Sequence, residues 1–375
     1  KLLVSEKISN DDNVYERLPK NYQIRKADKI IGRFFHEISC PNTFYLSSIT
    51  LKNSELVNDW ADIILLRNIH GNYISERILP FLSTKASLFW RLPDMWAITG
   101  HCAFSYDCDK WQTGCGNCPD LKQYYPLRFD TSNFLWSRKE KLIQKTDLTV
   151  ISPSQWLKKK VEKSPIFRNK KVVHIPLGID TNVFRPLDKV TLRNNYNIAK
   201  DDLVVLFGSQ SAKDTRKGSH LVGQIVQKLS KKINKPLTVI TFGESGNNIA
   251  YENVRHMNMG YISQENKINI LYNLCDVYLL PTLADNLPNT MVEAMSAGIP
   301  TVAFDTGGCS EVVIDGQNGM IAQYNDVENF VKKAITLLNR DLNHQCSINS
   351  RAKILKSHQM STQIENYIKC FKNAT

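Results

Sequence analysis

The stretch from Val277 to Gly308 constrains the fold more than any other part of this 375-residue chain. The apolar run Val277–Leu280 predicts a strand that is buried on both faces, and Thr301–Phe304 predicts a second one. Between these runs, Pro288 favours the start of a helix and Gly298 favours its end. A strand, a helix and a strand in this order are typical of a parallel sheet covered by helices.

Two acids lie in this stretch, Asp285 in the loop before the predicted helix and Glu293 eight positions later inside it. The free N–H groups and the dipole of the first helical turn attract an anion such as a phosphate. Glu293 has apolar neighbours and needs a partner, for which a ligand hydroxyl is one candidate. The alternative for Asp285 is an ordinary acid on a surface loop, and the residues alone leave it open.

A second element that attracts anions follows the predicted strand Val204–Phe207. Gly208 lets the backbone turn tightly, and Arg216 and Lys217 stand just before the helical pattern His220–Leu229. At that position the two side chains would clamp a diphosphate together with the helix N-terminus. Neither a GxGxxG nor a Walker sequence is present, so the alternative for this pair is solvent-facing charge.

Apolar runs alternate with helical patterns along the whole chain, which predicts an α/β protein with parallel sheets. The predicted strands are Ile63–Leu66, Leu88–Trp90, Leu148–Ile151, Val172–Ile175, Val204–Phe207, Leu237–Phe242, Val277–Leu280 and Thr301–Phe304. Turn-forming residues at 176–186 predict a boundary between two domains, and the length suffices for two cores. We place the domains at 1–177 and 178–355, followed by a C-terminal helix at 356–375 for which packing on the first domain is one arrangement.

The formal net charge is +12, from 48 basic and 36 acidic residues, which favours an acidic partner such as a nucleotide, an anionic lipid or a nucleic acid. No apolar stretch reaches the length of a membrane span, and no signal peptide is visible. The nine cysteines are an odd number, which argues against a complete disulfide framework and favours a reducing compartment. The basic run Lys158–Lys160 is either a solvated helix face or a contact to an anionic membrane.

Four cysteines in a predicted loop at 99–120 follow the spacing C-x5-C-x6-C-x2-C. A Cys-x2-Cys pair with two further cysteines nearby is typical of a tetrahedral zinc site. The spacing therefore predicts structural zinc, with disulfides or free thiols as the alternatives, and four thiolates would leave no open position for catalysis. The predicted ligands are Cys102, Cys108, Cys115 and Cys118.

In its second half the chain resembles the family 4 retaining glycosyltransferases, which have the GT-B fold of two Rossmann-like doubly wound domains facing each other across a cleft. The acid and the Glu of the family signature stand here as Asp285 and Glu293, and Lys217-Gly218 resembles the family's phosphate-clamping Lys-Gly. The phrase Ile175–Asp180 resembles the linker of the family. In the first half, the block from Asp94 to Pro119 resembles a bacterial branch involved in polysaccharide or cell-surface glycan assembly.

The resemblance implies a hexosyltransferase that uses a UDP- or GDP-sugar, a glycan or lipid-linked acceptor and no catalytic metal. Glu293 would hold the ribose hydroxyls, Asp285 would lie by the transferred sugar, and Lys217 would offset charge on the leaving diphosphate. Asp94 and His101 are the implied catalytic residues of the first domain. The implied nucleotide-sugar site consists of Gly208, Arg216, Lys217, Asn286, Leu287, Pro288, Asn289, Thr290 and Glu293.

The chain departs from the family pattern at several points. Asp285 replaces the commoner Glu, and an Arg that often follows the family's Gly is absent, with Arg216 as a substitute. Pro93 stands where many members have a His, so His101 or His70 is left to supply an imidazole, with an ordinary structural role as the alternative for both. The N-terminal strand with its Gly-rich loop is missing from this sequence.

Two other classes of protein stay open. One is a zinc-stapled basic protein that binds nucleic acid, although the basic residues are dispersed rather than interleaved with aromatic ones. The other keeps the fold but is a nucleotide-sugar epimerase, a phosphorylase or an inactive relative. For the transferase we expect a cytoplasmic location, with a peripheral position on the inner face of the membrane as a variant.

Overall fold

The structure is a computed structural model of the chain, and it describes residues 2–4, 14–16, 22–55, 57–58, 61–70, 74–209, 211, 214–244 and 249–373. The chain divides into two compact units. The first consists of Lys1–Pro153, Leu157–His174 and Lys369–Thr375, and the second of Ser154–Trp156 and Ile175–Ile368.

The first unit contains a four-stranded parallel sheet and a separate parallel pair. The sheet has the order β3-β4-β5-β6, with β3 at Ile63–Leu66, β4 at Ser87–Arg91, β5 at Thr149–Ser152 and β6 at Lys171–His174. The pair is formed by β1 at Leu2–Val4 and β2 at Val14–Glu16. The helices in this part of the chain are α1 at Tyr22–Glu37, α2 at Leu46–Lys52, α3 at Leu79–Leu82, α4 at Ser132–Gln144 and α5 at Gln155–Lys163.

The second unit contains a six-stranded parallel sheet with the order β12-β11-β10-β7-β8-β9. Its strands are β7 at Leu203–Ser209, β8 at Leu237–Gly243, β9 at Val254–Asn258, β10 at Val277–Leu280, β11 at Thr301–Phe304 and β12 at Gly319–Ala322. The strand order reverses between β7 and β10. In sheets of this kind, ligands bind outside the carboxyl ends of the strands at the point of reversal.

Helices cover both faces of this sheet. The helices in this part of the chain are α6 at Lys189–Asn195, α7 at Ser219–Lys232, α8 at Glu265–Leu274, α9 at Asn289–Ser296, α10 at Cys309–Val312, α11 at Val327–Leu337, α12 at Arg340–Ser357 and α13 at Met360–Lys372. Val204 and Leu206 of β7 pack in one core with α8 and α9, while Val205 and Phe207 pack in the other with α7 and α11. Burial on both faces explains why these strands read as unbroken apolar runs.

All eight predicted strands overlap observed ones, and the α/β class with parallel sheets is confirmed. The sequence pattern does not predict β1, β2, β9 or β12. β9 lies at the edge of its sheet and is only half-buried, so polar residues such as Arg255 and Asn258 interrupt the apolar pattern that would predict a strand. β12 begins at Gly319, and glycine is a weak strand former. No helix among the described residues is long and apolar enough to cross a membrane.

Candidate functional site

The turn that follows β7 is tied to the loop that follows β10. The carbonyl oxygen of Arg216 accepts hydrogen bonds from the N–H of Leu283 at 2.7 Å and from Oγ1 of Thr282 at 3.0 Å. Because β7 and β10 flank the reversal of strand order, these bonds join the two strand ends at the position where ligands bind in such sheets. They also bring Lys217 and Asp285 to one place.

Two glycines make this close approach possible. Gly218 has a φ of +71°, and a Cβ at this position would lie 1.8 Å from the carbonyl oxygen of Pro281. Gly307 has a φ of +56°, and its Cβ would lie 1.8 Å from the carbonyl oxygen of Asp285. Neither contact leaves room for a side chain, so the loop that carries Asp285 is held between two glycines.

Gly218→Ala is expected to lower the free energy of unfolding by about 3 kcal/mol, because it combines an unfavourable φ with a backbone clash. Gly316 is the matched control, since its φ is +73° and a Cβ there would meet nothing within 4 Å. Gly316→Ala should therefore lose only about 1 kcal/mol, the cost of the φ alone. Urea unfolding measures both variants, and equal losses would show that the approach to Pro281 does not constrain position 218.

We call the place where the hydrogen bonds to the Arg216 carbonyl oxygen join the ends of β7 and β10 the junction. Lys217 and Asp285 form an ion pair across it, in which Nζ donates to Oδ2. Both side chains are partly buried, with exposed fractions of 34% for Lys217 and 15% for Asp285, so the pair remains accessible to a ligand. Arg216 is engaged differently, since its guanidinium donates to Oδ2 of Asp214 at 2.6 Å. A clamp by Arg216 on a ligand would require that this contact with Asp214 be exchanged.

The N-terminus of α9 begins at a cap residue whose own side chain caps no backbone N–H of the helix. Pro288 occupies the cap position and offers no side-chain hydrogen bond, so the first backbone N–H groups of the helix remain for other acceptors. Asn286, Leu287 and Pro288 are buried, while Asn289 is exposed. The helix dipole adds positive potential at this end, which favours an anionic group.

Glu293 lies on the second turn of α9, where its Oε2 accepts a hydrogen bond from the hydroxyl of Tyr272 at 2.9 Å. Tyr272 is fully buried on α8. Burial raises the pKa of Glu293 from 4.5 to about 6, although the bond from Tyr272 favours the carboxylate. Among the described residues we find no partner for Oε1, which leaves one carboxylate oxygen for a ligand hydroxyl.

The raised pKa of Glu293 makes stability depend on pH. Below about pH 4.5 the carboxyl is protonated in both the folded and the unfolded chain, and as the pH rises through 6 the folded chain must hold a partly buried charge. Glu293→Gln removes this cost while it keeps an acceptor for Tyr272. The difference in unfolding free energy between this variant and the wild type should therefore increase by about 2 kcal/mol in favour of the variant as the pH rises from about 4.5 to about 7.5. Urea unfolding at both pH values measures the gain, and a pH-independent difference would contradict it.

Gly208 lies within β7 rather than in an open turn. A Cβ at Gly208 would lie 2.2 Å from the ring of Phe242 on β8, so the glycine is required by the packing of that ring. This requirement explains the residue type without a ligand. The role predicted for Gly208 in binding a diphosphate stays a prediction.

In the first unit, Asp94 is paired with His70. Asp94 follows β4 and His70 follows β3, so both lie at the carboxyl end of the sheet. Nε2 of His70 lies 3.0 Å from Oδ2 of Asp94, and its Nδ1 lies 3.0 Å from the hydroxyl of Tyr125. Oδ1 of Asp94 accepts the N–H of Trp96 at 2.8 Å. The imidazole beside Asp94 is therefore that of His70.

His101 is buried, and partners lie at both of its ring nitrogens. Nδ1 lies 2.6 Å from the carbonyl oxygen of Tyr125, and Nε2 lies 3.3 Å from Sγ of Cys118. Burial lowers the pKa of His101, which favours the neutral ring. The catalytic role predicted for His101 stays a prediction, and these contacts are those of a structural histidine.

The predicted zinc site is not supported. The four cysteines and His101 line one small cavity, and all four are free thiols. Within the part of the chain that the structure describes, no group of three or more His, Cys, Asp or Glu side chains is placed to hold a metal ion. The spacing brings the thiols to one cavity but not to a common centre. Cys115 instead accepts the N–H of Gly100 at 3.3 Å, and burial raises the pKa of Cys102 to about 12.

The sequence patterns do not single out Lys139, which is buried on α4. Its Nζ donates to the carbonyl oxygens of Trp96 at 2.7 Å and Thr99 at 2.9 Å, and it lies 3.6 Å from the centre of the Trp96 ring. Burial lowers its pKa to about 8. Lys139 therefore fixes the segment that connects Asp94 to the cysteine loop, and a lysine at an apolar helix position is the signal that could have found it.

The sequence patterns also do not single out Tyr272 and Tyr125, the hydroxyl partners of Glu293 and His70. A tyrosine on an apolar helix face, as at 272, requires a partner for its hydroxyl, which is a usable signal. Tyr125 lies in a loop and carries no such pattern. Neither pairing has a local spacing, since 21 positions separate the first pair and 55 the second.

The part of the chain that contains the junction matches a known family. Residues 188–353 match the family model described as "Glycosyl transferases group 1". Over 231 residues the chain is 28% identical to "Putative colanic acid biosynthesis glycosyl transferase WcaC" of Escherichia coli (strain K12), which covers 60% of this chain and 54% of that protein. It is 25% identical over 231 residues to "Capsular polysaccharide biosynthesis glycosyltransferase CapM" of Staphylococcus aureus, with coverages of 58% and 59%. The chain thus spans little more than half the length of these curated relatives.

Solved structures resemble the chain over nearly its whole length. HepE of Anabaena, solved in complex with UDP-glucose, has a TM-score of 0.62 at 16% identity and covers 96% of this chain and 85% of its own. Sucrose-phosphate synthase of Thermosynechococcus elongatus has a TM-score of 0.65 at 13% identity, with coverages of 97% and 81%. At these identities the likeness shows the fold, and the fold is the two-domain α/β architecture of the GT-B glycosyltransferases.

Proposed function

We propose that this protein is a retaining glycosyltransferase that moves a hexosyl group from a nucleoside diphosphate sugar to a glycan or lipid-linked acceptor. The observation that carries the proposal is the junction of two strand ends, where Lys217, Asp285 and the uncapped N-terminus of α9 lie together. The family match over residues 188–353 supports it, because this segment contains all three parts of the junction.

The donor would bind along α9. The backbone N–H groups of residues 287, 289 and 290 would meet the diphosphate, joined by that of Asn286 once it leaves Oδ1 of Asp285, to which it donates at 2.9 Å. Glu293, oriented by Tyr272, would accept the two ribose hydroxyls. A UDP-sugar is the donor that we favour, because HepE was solved with UDP-glucose. The names of WcaC and CapM favour a role in polysaccharide biosynthesis.

Transfer breaks the bond between the anomeric carbon and a phosphate oxygen, and the leaving nucleoside diphosphate takes the electron pair. The ammonium of Lys217 and the dipole of α9 would stabilise the negative charge that develops on the diphosphate. The acceptor hydroxyl then adds to the same face of the sugar, and its proton would pass to the phosphate oxygen of the leaving nucleoside diphosphate. Cationic side chains and a helix N-terminus supply the stabilisation here, so we propose transfer that does not depend on a metal ion.

Asp285 would change partner when the donor binds. Without a donor its carboxylate neutralises Lys217. A diphosphate is a stronger partner for the ammonium, so Lys217 would turn to the phosphate and Asp285 would be released to accept a sugar hydroxyl. The side chain of Asp285 is one methylene shorter than the Glu that the resemblance leads one to expect. At this shorter length it forms the ion pair with Lys217.

In the first unit we propose that Asp94 acts with His70 on the reaction. Hydrogen bonds from Trp96 and His70 hold the Asp94 carboxylate in one orientation at the carboxyl end of β4. A carboxylate held in this way accepts a proton or a hydroxyl hydrogen bond. His70 would then be a positioning residue that acts through Asp94.

Turnover of defined donors tests the proposal. The purified protein is incubated with UDP-, GDP- and ADP-glucose, and the released nucleoside diphosphate is measured by chromatography. One donor should be cleaved, and proton NMR of the glucosyl product should show the α configuration of the donor first. Cleavage with inversion would overturn the assignment as a retaining enzyme. If no donor is cleaved and an oligonucleotide binds tightly in low salt, the nucleic-acid alternative would hold instead.

A further inference from the structure

Helix α1 presents an apolar strip to the outside of the first unit. Ile30 and Phe34 stand one turn apart and are 63% and 58% exposed, and Ile38, just beyond the helix end, is 42% exposed. Side chains at these spacings lie on one side of a helix. Phe129, whose side chain is also exposed, lies next to the end of the strip, since its N–H donates to Oγ of Ser39 at 2.8 Å.

The opposite side of α1 is fixed to the unit. The buried carboxylate of Asp28 accepts the N–H groups of Leu46 at 2.6 Å and Ser47 at 3.1 Å, and so caps α2. A Cβ at Gly32 would lie 3.0 Å from the ring of Tyr45, which shows how closely this side packs. The helix therefore cannot turn its apolar strip inward without losing these contacts.

Three cations of α1 lie beside the apolar strip. Lys26, Lys29 and Arg33 are exposed, and none of them has an ion-pair partner among the described residues. The two acids of the helix both have partners, because Asp28 is buried against the N–H groups of α2 and the partly exposed Glu37 pairs with Arg128 at 2.5 Å. We call this the α1 surface: it consists of these three cations and of Ile30, Phe34, Ile38 and Phe129.

We propose that the α1 surface binds the face of an anionic lipid bilayer. A helix with an apolar strip and a row of Lys and Arg lies in the plane of the interface, with the apolar side chains below the headgroups and the cations at the phosphates. A second copy of this chain is a poorer occupant, since a self-paired interface would bring six positive charges together. The proposal does not rest on the proposed function.

This assignment moves the membrane contact away from the basic run at residues 158–160. That run lies on α5, where Lys158 faces Glu162 at 3.5 Å and the apolar residues Leu157 and Val161 are buried. The structure describes every residue of α5, and the large apolar side chains of this helix are buried or, for Trp156, half-buried. α5 therefore offers charge without a strip that could enter the interface.

Sedimentation with lipid vesicles tests the α1 surface. The purified protein should pellet with vesicles of phosphatidylcholine mixed with phosphatidylglycerol and stay in solution with phosphatidylcholine alone. The double variant Ile30→Ser/Phe34→Ser should bind the anionic vesicles at least ~10-fold more weakly. Arg33→Gln, which leaves the apolar strip intact, should weaken binding about fivefold, as expected for one cation near the surface.

The matched control is the double variant Ile364→Ser/Ile368→Ser on α13. These isoleucines have the same spacing and are 51% and 48% exposed, but an acid, Glu365, stands beside them. The control should bind anionic vesicles like the wild type, and unfolding curves verify that all variants fold. Equal loss in the control, wild-type binding by the α1 variants, no binding of anionic vesicles by the wild type, or a solution dimer that the α1 variant abolishes would each overturn the proposal.

Discussion

Lys217→Ala is expected to lower the rate of sugar transfer about 10²- to 10³-fold while the fold stays intact. The loss of one preorganised donor to a developing negative charge has an effect of this size in other enzymes. Lys217 follows β7 and stands two positions before the start of α7, and its ion-pair partner Asp285 follows β10. Initial rates of nucleoside diphosphate release at saturating donor measure the effect.

The matched control for this variant is Lys232→Ala, which removes the same charge at the far end of α7. Lys232 pairs with Glu328 at 3.1 Å on the surface, away from the junction. Its variant should keep the wild-type rate within about twofold, since exposed pairs contribute little. The Lys217–Asp285 pair is partly exposed, so Lys217→Ala should lose at most about 1 kcal/mol of unfolding free energy. A wild-type rate in Lys217→Ala would remove this residue from the mechanism.

Glu293→Ala is expected to weaken the binding of the preferred nucleoside diphosphate about 10- to 100-fold. The carboxylate would accept the ribose hydroxyls, and a hydrogen bond to a charged group contributes about 1.5–3 kcal/mol. The variant also leaves the buried hydroxyl of Tyr272 without its acceptor, which lowers stability by about 1–3 kcal/mol. Titration calorimetry below the unfolding temperature separates the two effects.

Glu293→Gln sharpens this test, because it keeps an acceptor for Tyr272 and removes only the charge. It should bind the nucleotide more tightly than Glu293→Ala and more weakly than the wild type. Glu328→Gln serves as the control, since Glu328 is exposed and pairs with Lys228 and Lys232. Unchanged affinity in both variants at position 293 would contradict the role of Glu293 as the ribose anchor.

The junction was predictable from the sequence because its parts lie next to strong local signals. β7 and β10 are unbroken apolar runs, and the residues that follow a parallel strand lie at its carboxyl end. Lys217 and Asp285 could therefore be assigned to one edge of one sheet without a structure. Their direct ion pair was not predictable, since it depends on how closely Gly218 lets the two strand ends approach.

The first unit was less predictable, because its contacts join residues that are distant in sequence and lie in loops. His70 reaches Asp94 and Tyr125 over 24 and 55 positions, and no periodicity links them. The cysteine spacing predicted zinc, yet spacing fixes only which thiols come near each other and not whether they converge on one centre. Without that centre, the alternative of a zinc-stapled nucleic-acid-binding protein loses the feature that suggested it.

The central claim is that the junction of β7 and β10 binds the diphosphate of a nucleotide sugar. Titration calorimetry of the wild type and of Lys217→Ala and Glu293→Ala with UDP, GDP and ADP tests it most directly. We predict that one of the three nucleotides binds the wild type with one site per chain and that both variants bind it more weakly. Failure of all three nucleotides to bind, or equal affinity in the wild type and both variants, would contradict the claim.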